Sequence, residues 1–283
     1  MTSLPRPLQS HRSGAAVTEP SAIEALAFAL ALAEEADALT MGYFGGEAGV
    51  RAKADGTLVT LADIETEAML RRRITERYPE HTIVGEEEED SRGAAGAPRW
   101  ILDPIDGTHN FARGVEVWAT LIAFERDGVI EVGVASAPAM RTRWWAARGS
   151  GAFRASLPAD SGPGERMQVS DRSELSDLSV LYGSYPLTLD QWGDGADTLL
   201  RAAWRTRGFG DFWGHMVVAE GKAEVMLDPG VNPYDIAALV PIIEEAGGRL
   251  TDSKGDATIE SLEAITTNGV AHDAVLATLK GQR

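Results

Sequence analysis

The sequence predicts a layered α+β protein, and three observations favour that class. Segments with apolar residues at helical spacing are mixed with short apolar runs rich in Val and Ile, as in helices interspersed with strands. No internal repeat is visible in their order. The 283 residues, of which 44% are hydrophobic, are enough for a large core, organised as one large domain or two closely joined lobes.

The composition excludes several classes of protein. The net charge is −17, from 43 acidic and 26 basic residues, which opposes binding to the phosphates of nucleic acids. We therefore expect no nucleic-acid partner. The absence of cysteine rules out disulfides, thiolate metal sites and a cysteine nucleophile, and it fits the reducing cytoplasm, where we expect the protein to act.

The N-terminal region predicts a helix and no membrane association. The apolar run Ala25–Ala33 loosely resembles a secretory signal, but acidic Glu19 and Glu24 interrupt its approach. It is also shorter than the ~20 residues that a membrane span needs. The first helix is expected from Ser21, its N-cap, to about Gly42. The predicted organisation is a flexible leader over residues 1–20 and a single domain over 21–283, with lobes of about 21–155 and 156–283.

The first half of the chain predicts a second helix and most of the strands. Asp55-Gly56 is a turn or the tip of a short hairpin, and Thr60 is a candidate cap for an amphipathic helix. The run "HTIV" indicates a buried strand that leads into a polar loop. The block Val117–Phe153 is rich in strand signals, with Asp127-Gly128 as a hairpin turn. The Ser-, Pro- and Gly-rich segment 155–168 predicts a surface loop.

The second half has fewer strand signals. The run "SVLYGSYP" is typical of a strand, and residues 190–205 are expected to be helical. Another helix is predicted from about Phe212 to Glu220, where Gly221 ends it, and a strand follows. The segment "YDIAALVPIIEEAGG" predicts a last helix that the glycine pair stops.

The stretch "WILDPIDGTHNF" carries the strongest chemical signal. Asp103 and Asp106 follow a strand-like apolar run, and Asp, Pro and Gly by themselves are turn formers. The sequence lacks the regularly spaced aspartates and the terminal glutamate of an EF-hand loop, so a calcium-binding loop of that type does not explain the motif. "GTHNF" could start a helix, whose free amides at Gly107 and Thr108 would form an anion site. Carboxylates hold hard cations that bridge to phosphate oxygens, so the stretch predicts a metal-assisted phosphate site.

Further carboxylates must then converge from other segments. Glu86 is the first side chain after the strand-like "HTIV" and Gly85, although a charge run is often a solvated loop. Asp63 lies near a helix start, where a favourable interaction with the helix dipole is the alternative. Asp235 in "NPYDIAAL" could equally be a helix cap.

Four segments in this order resemble the inositol monophosphatase family of Mg²⁺-dependent, lithium-sensitive phosphatases: "DGTLVTLAD", "VGEEEE", "WILDPIDGTHNF" and "NPYDIAALVPIIEEAGG". The resemblance covers roughly residues 21 to 280. It implies a layered αβαβα sandwich of the inositol monophosphatase and fructose-1,6-bisphosphatase type, usually a homodimer. It also implies a small phosphomonoester substrate and roughly two or three Mg²⁺ ions, with Mn²⁺ as a substitute and Li⁺ as an inhibitor.

The resemblance also implies a role for each site residue. The implied metal ligands are Glu86, Asp103, the main-chain carbonyl of Ile105, Asp106 and Asp235. Gly107 and Thr108 would receive the phosphate through their amides, and Glu86 and Thr108 would orient and deprotonate the attacking water. Asp63 would assist a more weakly held ion or act through its water. The implied reaction is phosphomonoester hydrolysis by in-line attack.

Two stretches, "FARGVEVWATLIAF" and "RGFGDFWGHMVVAEG", resemble the histidinol-phosphate phosphatase branch of this family more than its inositol branch. Histidinol phosphate carries an amine cation and an imidazole, which suit carboxylates and aromatic faces. Asp211 and Asp228 are the predicted substrate contacts, with a helix cap and a turn former as the respective alternatives. Trp118 and Trp213 could stack on the ring or belong to the core.

Other substrates and other classes stay open. Glu116 replaces an expected proline and Tyr234 an expected tryptophan, so inositol 1-phosphate and other small sugar or nucleotide phosphates are alternatives. His109 and His215 are expected to be structural or adjacent to the substrate. A non-catalytic acidic scaffold would have lost a metal carboxylate, and none is missing. A phosphotransferase is disfavoured because the chain has no Gly-rich loop ending in Gly-Lys-Ser/Thr.

Overall fold

The computed structural model describes residues 19–46, 49–53, 58–91, 93, 96–158, 162 and 164–281. In these ranges the helices are α1 (Ala22–Tyr43), α2 (Leu61–Arg77), α3 (Thr108–Ala112), α4 (Tyr185–Ala202), α5 (Asp211–Ala219), α6 (Pro233–Ile236), α7 (Leu239–Glu245) and α8 (His272–Leu279). The strands are β1 (Arg51–Ala52), β2 (Leu58–Val59), β3 (Thr82–Gly85), β4 (Arg99–Asp106), β5 (Ala119–Arg126), β6 (Val129–Ala137), β7 (Thr142–Ala147), β8 (Gly151–Ser156), β9 (Glu165–Arg166), β10 (Ser179–Tyr182), β11 (Arg205–Arg207), β12 (Val225–Pro229), β13 (Arg249–Thr251) and β14 (Glu263–Thr267).

Most of these strands belong to two sheets. The larger sheet has the order β3-β4-β5-β6-β7-β8-β9, in which β3 and β4 are parallel and the later neighbours antiparallel. The smaller sheet has the order β11-β10-β12-β14-β13 and is mixed. Strands β1 and β2 form a separate hairpin, and its predicted turn at Asp55-Gly56 lies outside the described residues.

The helices complete five layers. Helices α1 and α2 cover one face of the larger sheet, and their alanines and leucines pack on Trp100, Ile122 and Val134. Helices α5 and α7 lie between the two sheets. Helices α4 and α8 cover the outer face of the smaller sheet. Each sheet therefore buries both faces, and the expected αβαβα sandwich is confirmed.

The first two helices begin at the predicted caps. Ser21 Oγ accepts the Glu24 amide hydrogen, and the Glu24 carboxylate accepts the Ser21 amide hydrogen in return. Thr60 and Asp63 form the same reciprocal capping box at α2. Such boxes satisfy amides that otherwise have no partner within the helix.

Three predicted boundaries were wrong. The loop predicted over 155–168 is shorter, because β8 continues to Ser156 and two residues of β9 pair with it at the sheet edge. Helix α4 begins before residue 190, since Pro186 in its first turn is compatible with a helix start, and Gly193 interrupts it with non-helical backbone. The helix predicted in "YDIAALVPIIEEAGG" is divided into α6 and α7.

Glu19 and Pro20, which the prediction placed in the leader, lie within the described residues. Residues 1–18 lie outside the described residues, but Pro20 is buried and its carbonyl accepts a hydrogen bond from Arg126 at 2.8 Å. Glu19 lies 3.1 Å from His81 Nε2. In the described ranges, no helix combines the length and the apolar character required to cross a membrane.

Candidate active site

The site begins at a bulge near the end of β4. Asp103 is opposite Leu121 and Asp106 is opposite Ala119, so three steps on β4 match two on β5. A regular strand would point side chains three residues apart to opposite faces. The extra residue turns the strand so that both carboxylates reach the same side, and Pro104, which cannot donate a ladder hydrogen bond, lies within the bulge.

Asp235 completes an acidic triad with Asp103 and Asp106. One carboxylate oxygen of each lies within 4.8 Å of the others. Asp235 is in the first turn of α6, where its Oδ2 accepts the Asn232 amide hydrogen at 2.6 Å, so its alternative as a cap is also observed. Asp103 is 1% exposed, and its buried Oδ1 has no hydrogen-bond partner among the described residues.

Burial and mutual repulsion make the ionised form of these three carboxylates unfavourable without a cation. Burial is the main cause that raises the pKa of Asp103 well above its usual value, and the charge on Glu86 is the second. Burial, followed by the charges on Asp211 and Asp235, raises the pKa of Asp106 in the same way. Burial also raises the pKa of Asp235 to about 7. Clustered carboxylates with an unpartnered buried oxygen fit a hard divalent cation, which would satisfy that oxygen and offset the repulsion.

Glu86 lies at the same sheet edge but outside the triad. It follows β3, the parallel neighbour of β4, and its carboxylate accepts a hydrogen bond from Lys53 Nζ at 2.9 Å. Lys53 also binds Glu87, at 2.7 Å. Lys53 was missed in the sequence, because a lone lysine next to a predicted turn carries no signal of its position in the fold.

Asp63 connects the start of α2 to the segment 103–108, here called the metal loop because it carries two of the three candidate ligands. Its Oδ2 accepts the Thr60 amide hydrogen at 2.7 Å, which is a capping role. Its Oδ1 lies 3.3 Å from Thr108 Oγ1, which is also 2.9 Å from the Ile105 carbonyl oxygen. The Thr108 hydroxyl can therefore donate to either oxygen, and the predicted Asp63, Ile105 and Thr108 lie together.

The predicted helix start after Asp106 is confirmed as α3. Gly107 is its N-cap, with a left-handed φ of 85°. A Cβ atom at this position would lie 3.0 Å from the Val117 carbonyl oxygen. Glycine thus allows both the turn and the close approach to the segment before β5, and the amides of Gly107 and Thr108 lie at the amino end of α3.

A cavity of about 860 Å³ extends from Asp106 and Asp235 towards α5 and β12. Asp211 and Asp228 both line it, so the structure brings the two predicted substrate contacts to one cavity. Burial, followed by the charge on Asp228, raises the pKa of Asp211 to about 6. Asn110 Nδ2 donates to Asp211 Oδ2 at 2.9 Å, a contact between α3 and α5 that the motif position alone did not reveal.

The structure does not show Asp211 as a helix cap or Asp228 as a turn former. Asp211 has a left-handed φ of 55° and makes no capping hydrogen bond to its own helix. Asp106 Oδ2 accepts the Phe212 amide hydrogen at 2.7 Å instead, so the metal loop caps α5. Asp228 lies within β12 and not in a turn.

Of the aromatic residues singled out in the sequence, Trp118 lies in the core, whereas Trp213 and His109 line the cavity. Trp118 is fully buried against Phe44 and Phe111, which makes it a core residue and not a stacking partner for the substrate. Trp213 lines the cavity, and its ring centroid lies 4.5 Å from that of Phe209. His109 also lines the cavity.

An acidic triad that could hold a cation, beside the amides at the start of α3, fits a metal-dependent phosphatase. The chain belongs to the inositol monophosphatase family, whose model matches residues 22–282. This is a family of metal-dependent phosphatases that act on small phosphate esters, so the prediction of a phosphomonoester hydrolase is confirmed.

Curated relatives and solved structures agree with this assignment. The chain is 43% identical over 260 residues to a protein named histidinol-phosphatase from Mycobacterium tuberculosis strain H37Rv, covering 90% of this chain and 97% of that one. It is 40% identical to a histidinol-phosphatase from Streptomyces coelicolor, with 91% and 97% covered. The solved Thermotoga maritima IMPase superposes with a TM-score of 0.78 at 31% identity, with 91% of this chain and 97% of that chain covered.

Proposed function

We propose that this protein is an L-histidinol-phosphate phosphatase that depends on Mg²⁺. The observation that carries the proposal is the pair of carboxylates, Asp211 and Asp228, that face one cavity beside the acidic triad. An inositol phosphate offers hydroxyl groups to such a cavity, whereas histidinol phosphate offers an ammonium group, which two carboxylates bind far better. The names of the relatives from M. tuberculosis and S. coelicolor support the same substrate.

The residues of the triad, together with Glu86 and the Ile105 carbonyl, would hold the metal. The proposed ligands are Glu86, Asp103, the carbonyl of Ile105, Asp106 and Asp235. We propose roughly two or three Mg²⁺ ions, replaceable by Mn²⁺ and inhibited by Li⁺; when bound, they stabilise negative charge on the phosphate and increase the acidity of water.

The remaining site residues would bind the phosphate and move a proton. Gly107 and Thr108 would donate their amide hydrogens to phosphate oxygens at the start of α3. The Thr108 hydroxyl would accept a hydrogen bond from the attacking water while it donates to Asp63 Oδ1, 3.3 Å away. Glu86 would take the proton, because burial raises its pKa towards the range in which a carboxylate is an effective base.

The substrate's organic part would occupy the cavity. Its ammonium group would lie between the Asp211 and Asp228 carboxylates, and its imidazole would stack against Trp213 and Phe209. Asp211 would contribute most to the preference for a cationic substrate, since Asn110 fixes the orientation of its carboxylate.

Phosphate release tests this function. With Mg²⁺ present, we expect kcat/KM for L-histidinol phosphate to exceed that for inositol 1-phosphate, and Asp211→Asn to reduce this preference by about tenfold or more, because one charge-assisted contact is lost. Asp273→Asn, at a side chain 93% exposed, is the matched control. A wild-type preference for inositol 1-phosphate would overturn the substrate but not the phosphatase chemistry.

Three broader expectations complete the proposal. We propose one catalytic domain over 21–283, supported by a site that draws Asp106 from β4 and Asp228 from β12.

We propose a homodimer, which light scattering would detect as twice the chain mass of 30.2 kDa. Cytoplasmic action is supported by the lack of cysteine, and cell fractionation would test it.

A further inference from the structure

His215 is a buried histidine that connects the cavity wall to the smaller sheet. It lies in α5 and is 0% exposed. Its Nε2 is 3.1 Å from Asp228 Oδ2, and its Nδ1 is 2.7 Å from Thr266 Oγ1 of β14. Asp228 is on β12, so the imidazole joins three elements by two hydrogen bonds.

The partners of the ring determine its tautomer. An ionised carboxylate can only accept, so Nε2 carries the hydrogen that is donated to Asp228. In a neutral imidazole Nδ1 is then an acceptor, and the Thr266 hydroxyl donates to it. Thr266 is itself fully buried, so its hydroxyl has no competing bulk water and holds the Nδ1 side of the ring, while the Asp228 carboxylate fixes the Nε2–H form.

Asp228 needs such a donor to keep its orientation. Its carboxylate shares the cavity with Asp211, and the two charges repel each other. The other oxygen, Oδ1, lies beside Gly183, where an added Cβ would be only 2.8 Å away. Glycine at position 183 therefore leaves room for Oδ1, and the hydrogen bond from His215 to Oδ2 holds the carboxylate in the cavity wall.

We propose that His215, whose ring is oriented by its hydrogen bond to Thr266, is a positioning residue that donates from Nε2 to the Asp228 carboxylate and aims it at the cationic end of the substrate. The imidazole is too deeply buried to contact the substrate itself. This inference rests on the proposed function, because it requires a substrate with a positive charge. It makes His215 a determinant of specificity and not of the hydrolysis step.

The chain provides a matched control on the adjacent residue of the same strand. Thr267 Oγ1 is 2.9 Å from Nδ1 of a second buried histidine, His272, which faces Thr251 and does not line the cavity. Thr267→Val therefore removes a threonine–histidine hydrogen bond away from the site, together with the hydrogen bond that Thr267 Oγ1 accepts from the Gly269 amide. Thr266→Val removes the one that orients His215, with the same change in volume and polarity.

The experiment compares kcat and KM for L-histidinol phosphate and for β-glycerol phosphate, which has no cation. We expect Thr266→Val and His215→Leu to raise KM for L-histidinol phosphate by about tenfold relative to KM for β-glycerol phosphate, with kcat little changed. His215→Gln, whose amide can still donate to Asp228, should recover part of the loss. Thr267→Val should leave the ratio of the two KM values at the wild-type level.

The outcomes separate this inference from the function on which it rests. If the wild-type protein does not prefer L-histidinol phosphate, the proposed substrate and the proposed role of His215 are both wrong. If the wild-type protein prefers it and Thr266→Val and His215→Leu keep that preference, the substrate assignment stands and the role of His215 is wrong. Nitrogen NMR adds a readout that packing alone would not move: the His215 ring should show the Nε2–H tautomer in the wild-type protein, and an Nδ1–H signal would overturn the proposal.

Discussion

Asp106 combines two tasks in one carboxylate. It belongs to the acidic triad, and its Oδ2 also accepts the Phe212 amide hydrogen at the start of α5. Without a cation its negative charge is unfavourable, because burial is the main cause that raises its pKa well above the usual value. Its removal should therefore affect activity and metal-free stability in opposite directions.

The variant Asp106→Asn tests this at a single residue. We expect phosphate release with Mg²⁺ to fall by more than about 100-fold, because a charged ligand is lost. The thermal midpoint of the EDTA-treated protein should rise, since a neutral amide removes repulsion and can still accept the Phe212 amide hydrogen. Asp273→Asn should change neither quantity, and full activity in Asp106→Asn would remove Asp106 from the metal set.

At the scale of elements, the segment from β4 to α3 is the main structural device of the site. The bulge in β4 brings Asp103 and Asp106 to one side, and Gly107 then turns the chain into α3. A side chain at Gly107 would adopt an unfavourable φ and would also approach Val117. The conformational cost and the local contact can be separated by comparison with another glycine.

We expect Gly107→Ala to destabilise the protein by about 1–2 kcal/mol, because a left-handed φ disfavours alanine. Gly128→Ala in the β5–β6 hairpin should cost a similar amount, since its φ is 76°, but an added Cβ there meets no atom within 4 Å among the described residues. Urea unfolding measures the free energy, and phosphate release should fall in Gly107→Ala alone. Equal activity in both variants would contradict the importance of the turn.

At the scale of the whole molecule, the site joins the two sheets. Asp103 and Asp106 come from the larger sheet, whereas Asp228 lies on the smaller sheet and Asp235 follows it in α6. A cation at the triad would therefore hold both parts of the fold. Its binding should stabilise the folded state as a whole.

We expect Mg²⁺ to raise the thermal midpoint, and to raise it more at about pH 8 than at about pH 5. Burial raises the pKa of Asp235 from 3.8 to about 7 in the folded, metal-free protein. A raised folded pKa contributes stability that is present below 3.8 and is lost as the pH rises through about 7. Calorimetry with EDTA should thus show stability falling across this window, and Mg²⁺ should counteract the fall. A Mg²⁺ effect independent of pH would argue against carboxylates as the ligands.

Local patterns in the sequence determined much of this protein. Ser21 and Thr60 mark helix starts because their side chains bind amides only three residues away, and Asp127-Gly128 marks a hairpin because both residues adopt positive φ. The motif around Asp103 and Asp106 predicted a cation and a phosphate from ligand chemistry that is local to one segment. Family resemblance added the order of the five layers, which periodicity alone did not provide.

Contacts between distant segments were decided by the tertiary structure. The bulge depends on pairing between β4 and β5, and Lys53 meets Glu86 across 33 positions of sequence. The division between α6 and α7 is a further feature that the helical pattern did not show. The bonds of His215 to Thr266 and Asp228 exist because α5 packs on β12 and β14, and a histidine in an apolar helix carries no sign of them. Such pairings depend on the packing of layers, which brings together side chains whose sequence separation carries no periodic signal.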